Sequence, residues 1–249
     1  LNGMIKSVKM DDWKTYLTYH WIDGVSPYLS SAFVNENFDF HSKKLNGIEQ
    51  IKPRWKRVVE TGDFCLGEAL GEEYVKTAFS PESKERMLAM VENIKTAFGE
   101  RIKTLEWMTD STKEQALNKL ASFTVKIGYP DKWKDFSAME IGKESFAKNY
   151  MNSRLWWHNY NYNKLGKPVD RDEWDIYPQT YNAYYNPSNN EIVLPAGIFT
   201  VPGYRDEELD DAVVYGYGGA STIGHEITHG FDDEGKIGRA SCRERVSSP

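Results

Sequence analysis

Between Ser80 and Leu105 the chain carries one apolar stripe that only a long helix accommodates. Ser80 supplies an N-cap oxygen, and Pro81 brings the fixed φ suited to a first helical position. Met87, Leu88, Val91, Ile94, Phe98, Ile102 and Leu105 then hold to one face for about seven turns. A chain of 249 residues, 40% apolar and 27% charged, can bury such a face in a sizeable core. That composition excludes collagen-like, low-complexity and disordered classes. The longest apolar runs are a handful of residues, so no transmembrane helix is expected. A net charge of −6 argues against nucleic acid as a partner. Two cysteines, Cys65 and Cys242, cannot build a disulfide framework. The chain opens with Leu1 and has no charged-then-apolar leader, which suggests a fragment or a processed product.

Other segments repeat the helical rhythm. Trp13, Tyr16, Leu17 and His20-Trp21 recur at helical spacing, and Pro27 to Phe40 forms a second such segment. Ser111-Thr112-Lys113-Glu114 has the spacing of a capping box and opens a helix through Ala116, Leu117 and Leu120. Gly128-Tyr129-Pro130 breaks the pattern. Residues 131–180 read as helix plus loop. Aromatics reach 14% of the chain, and a helical core accounts for them more simply than carbohydrate binding by the Trp- and Tyr-rich 156–185 region.

At Tyr181 the texture changes. Asn182-Ala183-Tyr184-Tyr185 and Glu191-Ile192-Val193-Leu194 are β-prone runs around the turn residues Asn186 to Asn190, which predicts a hairpin. Asp210 or Asp211 then caps a helix expected from Ala212 to about His229, closed by Gly230. Gly216, Gly218, Gly219 and Gly224 in that helix suggest something packed close to its backbone. The expected fold class is mainly α with a small β-hairpin and edge strand.

That last helix carries His225-Glu226-Ile227-Thr228-His229. Two His at i and i+4 stand one above the other on a helix face, where both imidazoles can share one Zn²⁺. Ile223, Ile227 and Phe231 supply a core-facing stripe, so the pair sits on an amphipathic helix. Glu226 lies next to the first His. It can reach a metal-bound water without being a ligand, take its proton and deliver it to a leaving amine. Asp232 and Asp233 follow the helix, either to hydrogen-bond a ligand His or to form a solvated turn. His20, His41 and His158 have no second metal-type residue at ligand spacing and are expected to be structural. Cys65, between Phe64 and Leu66, is expected to be a small buried apolar side chain.

These motifs resemble the neprilysin / endothelin-converting-enzyme family of zinc metallopeptidases, its bacterial oligopeptidases most of all. The resemblance is carried by Asn182-Ala183-Tyr184-Tyr185, Pro195-Ala196-Gly197-Ile198 and Ile223 through Asp233. It extends upstream through Trp107-Met108, Lys126 to Pro130 and Val169-Asp170 to Trp174. It implies a zinc endopeptidase of oligopeptides, with His225 and His229 as ligands and Glu226 as general base. It also implies a thermolysin-like (gluzincin) catalytic lobe that is only partly present. Asn182 and Ala183 would bind the substrate backbone, and Ile198 would line an apolar pocket for the residue after the scissile bond. Residues 1–180 would be the later part of the helical N-terminal domain and 181–236 the first part of the catalytic domain. The family acts mostly outside the cytoplasm, as membrane-anchored, periplasmic or secreted enzymes. Its third zinc ligand is a Glu in a Glu-x-x-x-Asp segment downstream, and no such segment follows His229 here. The chain as given is therefore expected to be inactive. The alternative is a non-catalytic helical fragment that binds zinc or peptide weakly. Ile237 to Val246 back-translates, in one frame, as a common sequencing-adapter oligonucleotide, so residues 237–249 are expected to be a non-native tail.

Overall fold

A computed structural model of the chain describes residues 2–201, 203–204, 208–214, 216 and 220–232. Asp233, Gly218, Gly219 and the expected tail at 237–249 lie outside the described residues. In chain order the helices are α1 (Asn2–Ser7), α2 (Met10–Val25), α3 (Ser31–Asn37), α4 (Arg54–Ala78), α5 (Pro81–Lys103), α6 (Asp110–Ala121), α7 (Phe146–Tyr162), α8 (Asp211–Val214) and α9 (Ala220–His229). The described residues also form three strands, β1 (Thr124–Gly128), β2 (Tyr184–Asn186) and β3 (Glu191–Pro195). The chain is thus mostly helical with one small sheet. It divides into two compact units, Leu1–Leu66 with Asp135–Lys167, and Gly67–Lys134 with the described residues from Pro168. α4 is broken where the units meet in sequence, at Leu66, whose φ of −132° and ψ of 22° leave the helical region.

The first unit is helical. Tyr28 stacks on Tyr150 at 3.6 Å, and Trp157 donates its indole N–H to the Cys65 carbonyl at 3.0 Å. Cys65 is buried, and burial pushes its thiol pKa up. The Trp- and Tyr-rich region is packed on itself: Trp156 lies 4.8 Å from Phe136 and stacks on Tyr160 at 5.2 Å. His41 meets the Asp23 carboxylate at 2.9 Å, and His158 stacks on Tyr162. The predicted rhythm of α2 is helical, but its stripe is not buried, with Tyr16, Leu17 and Trp21 each more than half exposed.

The second unit holds the main core. Ser80 Oγ accepts from the Ser83 amide at 3.1 Å, so α5 starts where its cap and proline predict. Its Met87, Met90, Val91 and Ile102 are buried, whereas Leu88 is exposed and Leu105 lies beyond the helix end. α6 starts earlier than the Ser111 capping box predicts. Thr109 Oγ1 accepts from the Thr112 amide at 3.2 Å, so the cap lies upstream and Asp110 occupies the first turn.

The hairpin forms as predicted, and a strand the sequence reading passed over joins it. β1 pairs in parallel with β3, Lys126 opposite Val193, while β2 pairs antiparallel, Tyr185 opposite Ile192. The sheet order is β1-β3-β2, so β3 is central and β2 is an edge. Every residue of β3 is buried. Ile192 and Leu194 join the core cluster with Met87, Leu120, Ile223 and Ile227. The alternate position Glu191 lies 2% exposed, its carboxylate 2.9 Å from the Lys126 ammonium. Lys126 also donates to the Glu173 carbonyl at 2.8 Å, and Glu191 accepts from the Asn186 and Asn189 side-chain amides, both at 3.2 Å.

The segment before the hairpin is clamped onto α4 through glycine. A Cβ at Gly67 would fall 2.2 Å from the Tyr177 ring, and one at Gly71 would fall 2.5 Å from Pro178. Gly197 serves the same segment from the other side, its amide donating to the Pro178 carbonyl at 2.7 Å. Asp210 caps α8, accepting from the Ala212 amide at 2.8 Å. The expected close packing on the glycines of the last helix is not found at Gly216 or Gly224, where an added Cβ meets nothing within 4 Å.

Lys126→Met leaves the Glu191 carboxylate buried without its cation. The expected cost is roughly 3–5 kcal/mol of unfolding free energy, read from urea denaturation of the variant against the parent.

Candidate active site

α9 presents one apolar and one polar face because its sequence alternates them at helical spacing. Ile223 and Ile227 are fully buried, while His225 and His229 are exposed on the other side. The two Nε2 atoms converge at 2.9 Å, with the rings edge to face. His229 Nδ1 lies 2.8 Å from Asp232 Oδ2. With that nitrogen protonated and donating to the carboxylate, Nε2 keeps its lone pair free for an ion. This is the hydrogen bond expected of Asp232 or Asp233, and among the described residues Asp232 makes it.

Glu226 lies inward of the two His and is 6% exposed. Burial raises its carboxyl above the ordinary value, while His225, His229 and a hydrogen bond from the Tyr185 amide draw it back. That amide belongs to the edge strand, so Glu226 ties α9 to β2.

The two elements form the walls of an open cleft of about 360 Å³. Asn182, Ala183, Tyr184, Tyr185 and Pro187 line one wall, and His225, Glu226, His229 and Asp232 the other. Asn182 and Ala183 stand just before β2, and the Ala183 amide donates to Asn182 Oδ1 at 2.9 Å. Ile198 lies outside this cleft. It is 4% exposed within the core, in the 3₁₀ turn Ala196–Ile198, and is not among the residues lining the cleft. Among the described residues no group of three His, Cys, Asp or Glu is placed to hold one metal ion, so the convergent pair is what the described site offers.

Sequence reasoning missed the polar groups behind the cleft. Asn190, 1% exposed with φ of +51°, donates to the Lys119 carbonyl at 3.1 Å and to Ser122 Oγ at 2.9 Å. It accepts from the Tyr185 hydroxyl at 3.0 Å. Its place in a run of turn residues is a signal, since Asn tolerates a left-handed backbone better than most residues. Asn190→Ala removes these bonds and keeps the positive φ. It is expected to lower unfolding free energy by roughly 2–4 kcal/mol in chemical denaturation, with Asn190→Asp losing less.

The chain is similar to known proteins. Two models of peptidase family M13 match, one over residues 1–130 and one over 182–240. Neprilysin-11 of Caenorhabditis elegans is 34% identical over 228 residues, which cover 88% of this chain and 26% of that protein. An endothelin-converting enzyme homolog of Locusta migratoria is 34% identical over 89% of this chain and 31% of its own length. The crystal structure of Mycobacterium tuberculosis zinc metalloprotease Zmp1 with an inhibitor superposes with a TM-score of 0.83 at 41% identity. That match covers 96% of this chain and 36% of the Zmp1 chain. The chain thus spans about a third of the length of these relatives. On the family match over more than half of its residues, and on a mostly helical fold shared with solved metalloproteases, this chain belongs to peptidase family M13.

Proposed function

We propose that the cleft is part of a zinc-dependent endopeptidase centre acting on oligopeptides, with His225 and His229 as zinc ligands. The observation that carries this reading is the convergence of the two Nε2 atoms at 2.9 Å beside a buried Glu226. The donor set fits the ion: two imidazoles on one helix face, one held in its metal-binding tautomer by Asp232. When bound, zinc lowers the pKa of water and polarises a peptide carbonyl.

The remaining chemistry belongs to the chain. Glu226 is a carboxylate made more basic by burial, and it lines the cleft close to both imidazoles. It takes the proton of the attacking water and passes it to the leaving amine. The edge strand seats an extended peptide by main-chain hydrogen bonds, with Asn182 and Ala183 at its start. Pro187 ends β2 after three residues, which shortens the edge available for pairing. By likeness to the family, Ile198 lines an apolar pocket for the residue after the scissile bond. The domain reading goes with this function: 1–180 as the later part of a helical domain, 181–236 as the first part of a catalytic one, and 237–249 as a non-native tail. By likeness to the family the protein acts outside the cytoplasm. No helix among the described residues is long and apolar enough to cross a membrane.

A second reading has its own support in the two-ligand site: the 249-residue chain binds zinc or peptide without turnover. A chelator-sensitive assay on a quenched fluorescent peptide separates the two. For the enzyme, Glu226→Gln is expected to lower kcat at least ~100-fold while zinc content is retained. His225→Ala and His229→Ala are expected to lose zinc as well as activity. Zinc binding with no Glu226-dependent hydrolysis supports the second reading for this chain, and absence of zinc binding overturns both metal assignments.

A further inference from the structure

A lysine is buried directly behind the His pair. Lys119, near the end of α6, is 6% exposed, and its ammonium donates a hydrogen bond to the Gly230 carbonyl just beyond α9. Lysine is rarely so buried without partners that repay its desolvation. Here the partners are those a helix terminus provides. The carbonyls of a last turn lack intrahelical donors, and the negative end of the helix dipole favours a cation.

The surroundings are built for that placement. The ammonium lies 5.7 Å from the Tyr185 ring centroid and 5.5 Å from that of Phe231. Phe123 stacks on both rings, at 5.5 Å and 5.8 Å. A Cβ at Gly230 would fall 2.6 Å from the Phe123 ring, so only glycine lets the carbonyl come this close. The Lys119 carbonyl is itself held by Asn190.

The contact falls one residue beyond His229 and two before Asp232. That short turn decides whether Asp232 reaches back to His229 Nδ1. The Phe231 amide donates to the Thr228 carbonyl at 2.8 Å and the Asp232 amide to the same carbonyl at 3.0 Å, so the turn closes on α9. The Asp232 charge also favours the ammonium, while burial draws the Lys119 pKa down.

We propose that Lys119 is a positioning residue of the metal site: by holding the Gly230 carbonyl inside the aromatic box of Phe123, Tyr185 and Phe231, it fixes the turn that keeps Asp232 on His229. The proposal rests on the reading of His225 and His229 as zinc ligands, but it concerns how the second of them is held.

The test uses the 249-residue chain and two readouts. The first is zinc affinity by competition with a chromophoric chelator. The second is the tautomer of His229 in the metal-free chain, from ¹⁵N chemical shifts of the imidazole assigned with the His229→Gln variant. Lys119→Met is expected to weaken zinc binding about 10- to 100-fold, the range for loss of an outer hydrogen-bond partner. It is also expected to erode the Nδ1-protonated tautomer. Lys119→Arg keeps charge and donors and recovers part of both. Asp232→Asn produces a loss of similar size, and the Lys119→Met/Asp232→Asn pair loses clearly less than the two single losses combined. A folded Lys119→Met with parental affinity and tautomer overturns the proposal, and so do fully additive losses. If Lys119→Met does not fold, Lys119→Gln retains an N–H donor and is judged on the same two readouts. If the parent binds no zinc, the metal reading fails, and the His229 tautomer alone decides the role of Lys119.

Discussion

The central strand β3 is hydrogen-bonded along both edges and buried on both faces, and the candidate site depends on that confinement. A strand in this position must satisfy every backbone group within the sheet and find a partner for any polar side chain it buries. The ladders to β1 and β2 meet the first demand, and Ile192 and Leu194 join the core cluster with residues of α5, α6 and α9. Glu191 meets the second through Lys126, brought alongside by the parallel pairing of β1. With β3 fixed, β2 becomes the edge, and the Tyr185 amide is carried to Glu226. The position of Glu226 is thus set by sheet register as much as by the helix that bears it.

The parts of this arrangement that were legible in the sequence are those whose cause is local. Ser80-Pro81 caps α5 because capping is decided within four residues. The hairpin announces itself through its turn residues, and the His pair through helical spacing. What escaped was non-local. β1 is five residues long, holds a lysine at its centre and ends at Gly128, just before Tyr129-Pro130, so in isolation its strand character is weak. Its identity as a strand comes from β3, more than sixty residues away in sequence. The same holds for Lys119, which by composition belongs to the solvated face of α6 and is buried only because the end of α9 lies over it.

Ile198 and the glycines show a different limit. Resemblance implies a substrate pocket for Ile198, and the described structure seats it in the core, outside the residues that line this cleft. The glycines before His225 suggest a close neighbour, yet Gly216 and Gly224 have none within 4 Å, and close approaches among the described residues include Gly67, Gly71 and Gly197 around residues 177–180. Low helix propensity signals that a glycine has some reason to be present. It does not say whether that reason is a neighbouring backbone, a turn or the needs of a ligand.

Two groups of opposite charge are held out of water around α9, and burial disfavours the charged form of each. Lys119 is surrounded by groups that favour its charge: a terminal carbonyl, two aromatic rings and the Asp232 carboxylate. These contacts offset its burial only in part, since burial still draws its pKa down. Glu226 accepts one backbone amide and remains disfavoured as an anion, with its carboxyl raised by burial. For the peptidase reading that imbalance is useful, because a carboxylate poorly stabilised as an anion is the stronger base toward water. The two differ in their contacts: Lys119 has a terminal carbonyl and two rings about its ammonium, and Glu226 has one backbone amide. In this chain the boundary between the two runs along the length of α9, from Glu226 inside the cleft to Gly230 behind it.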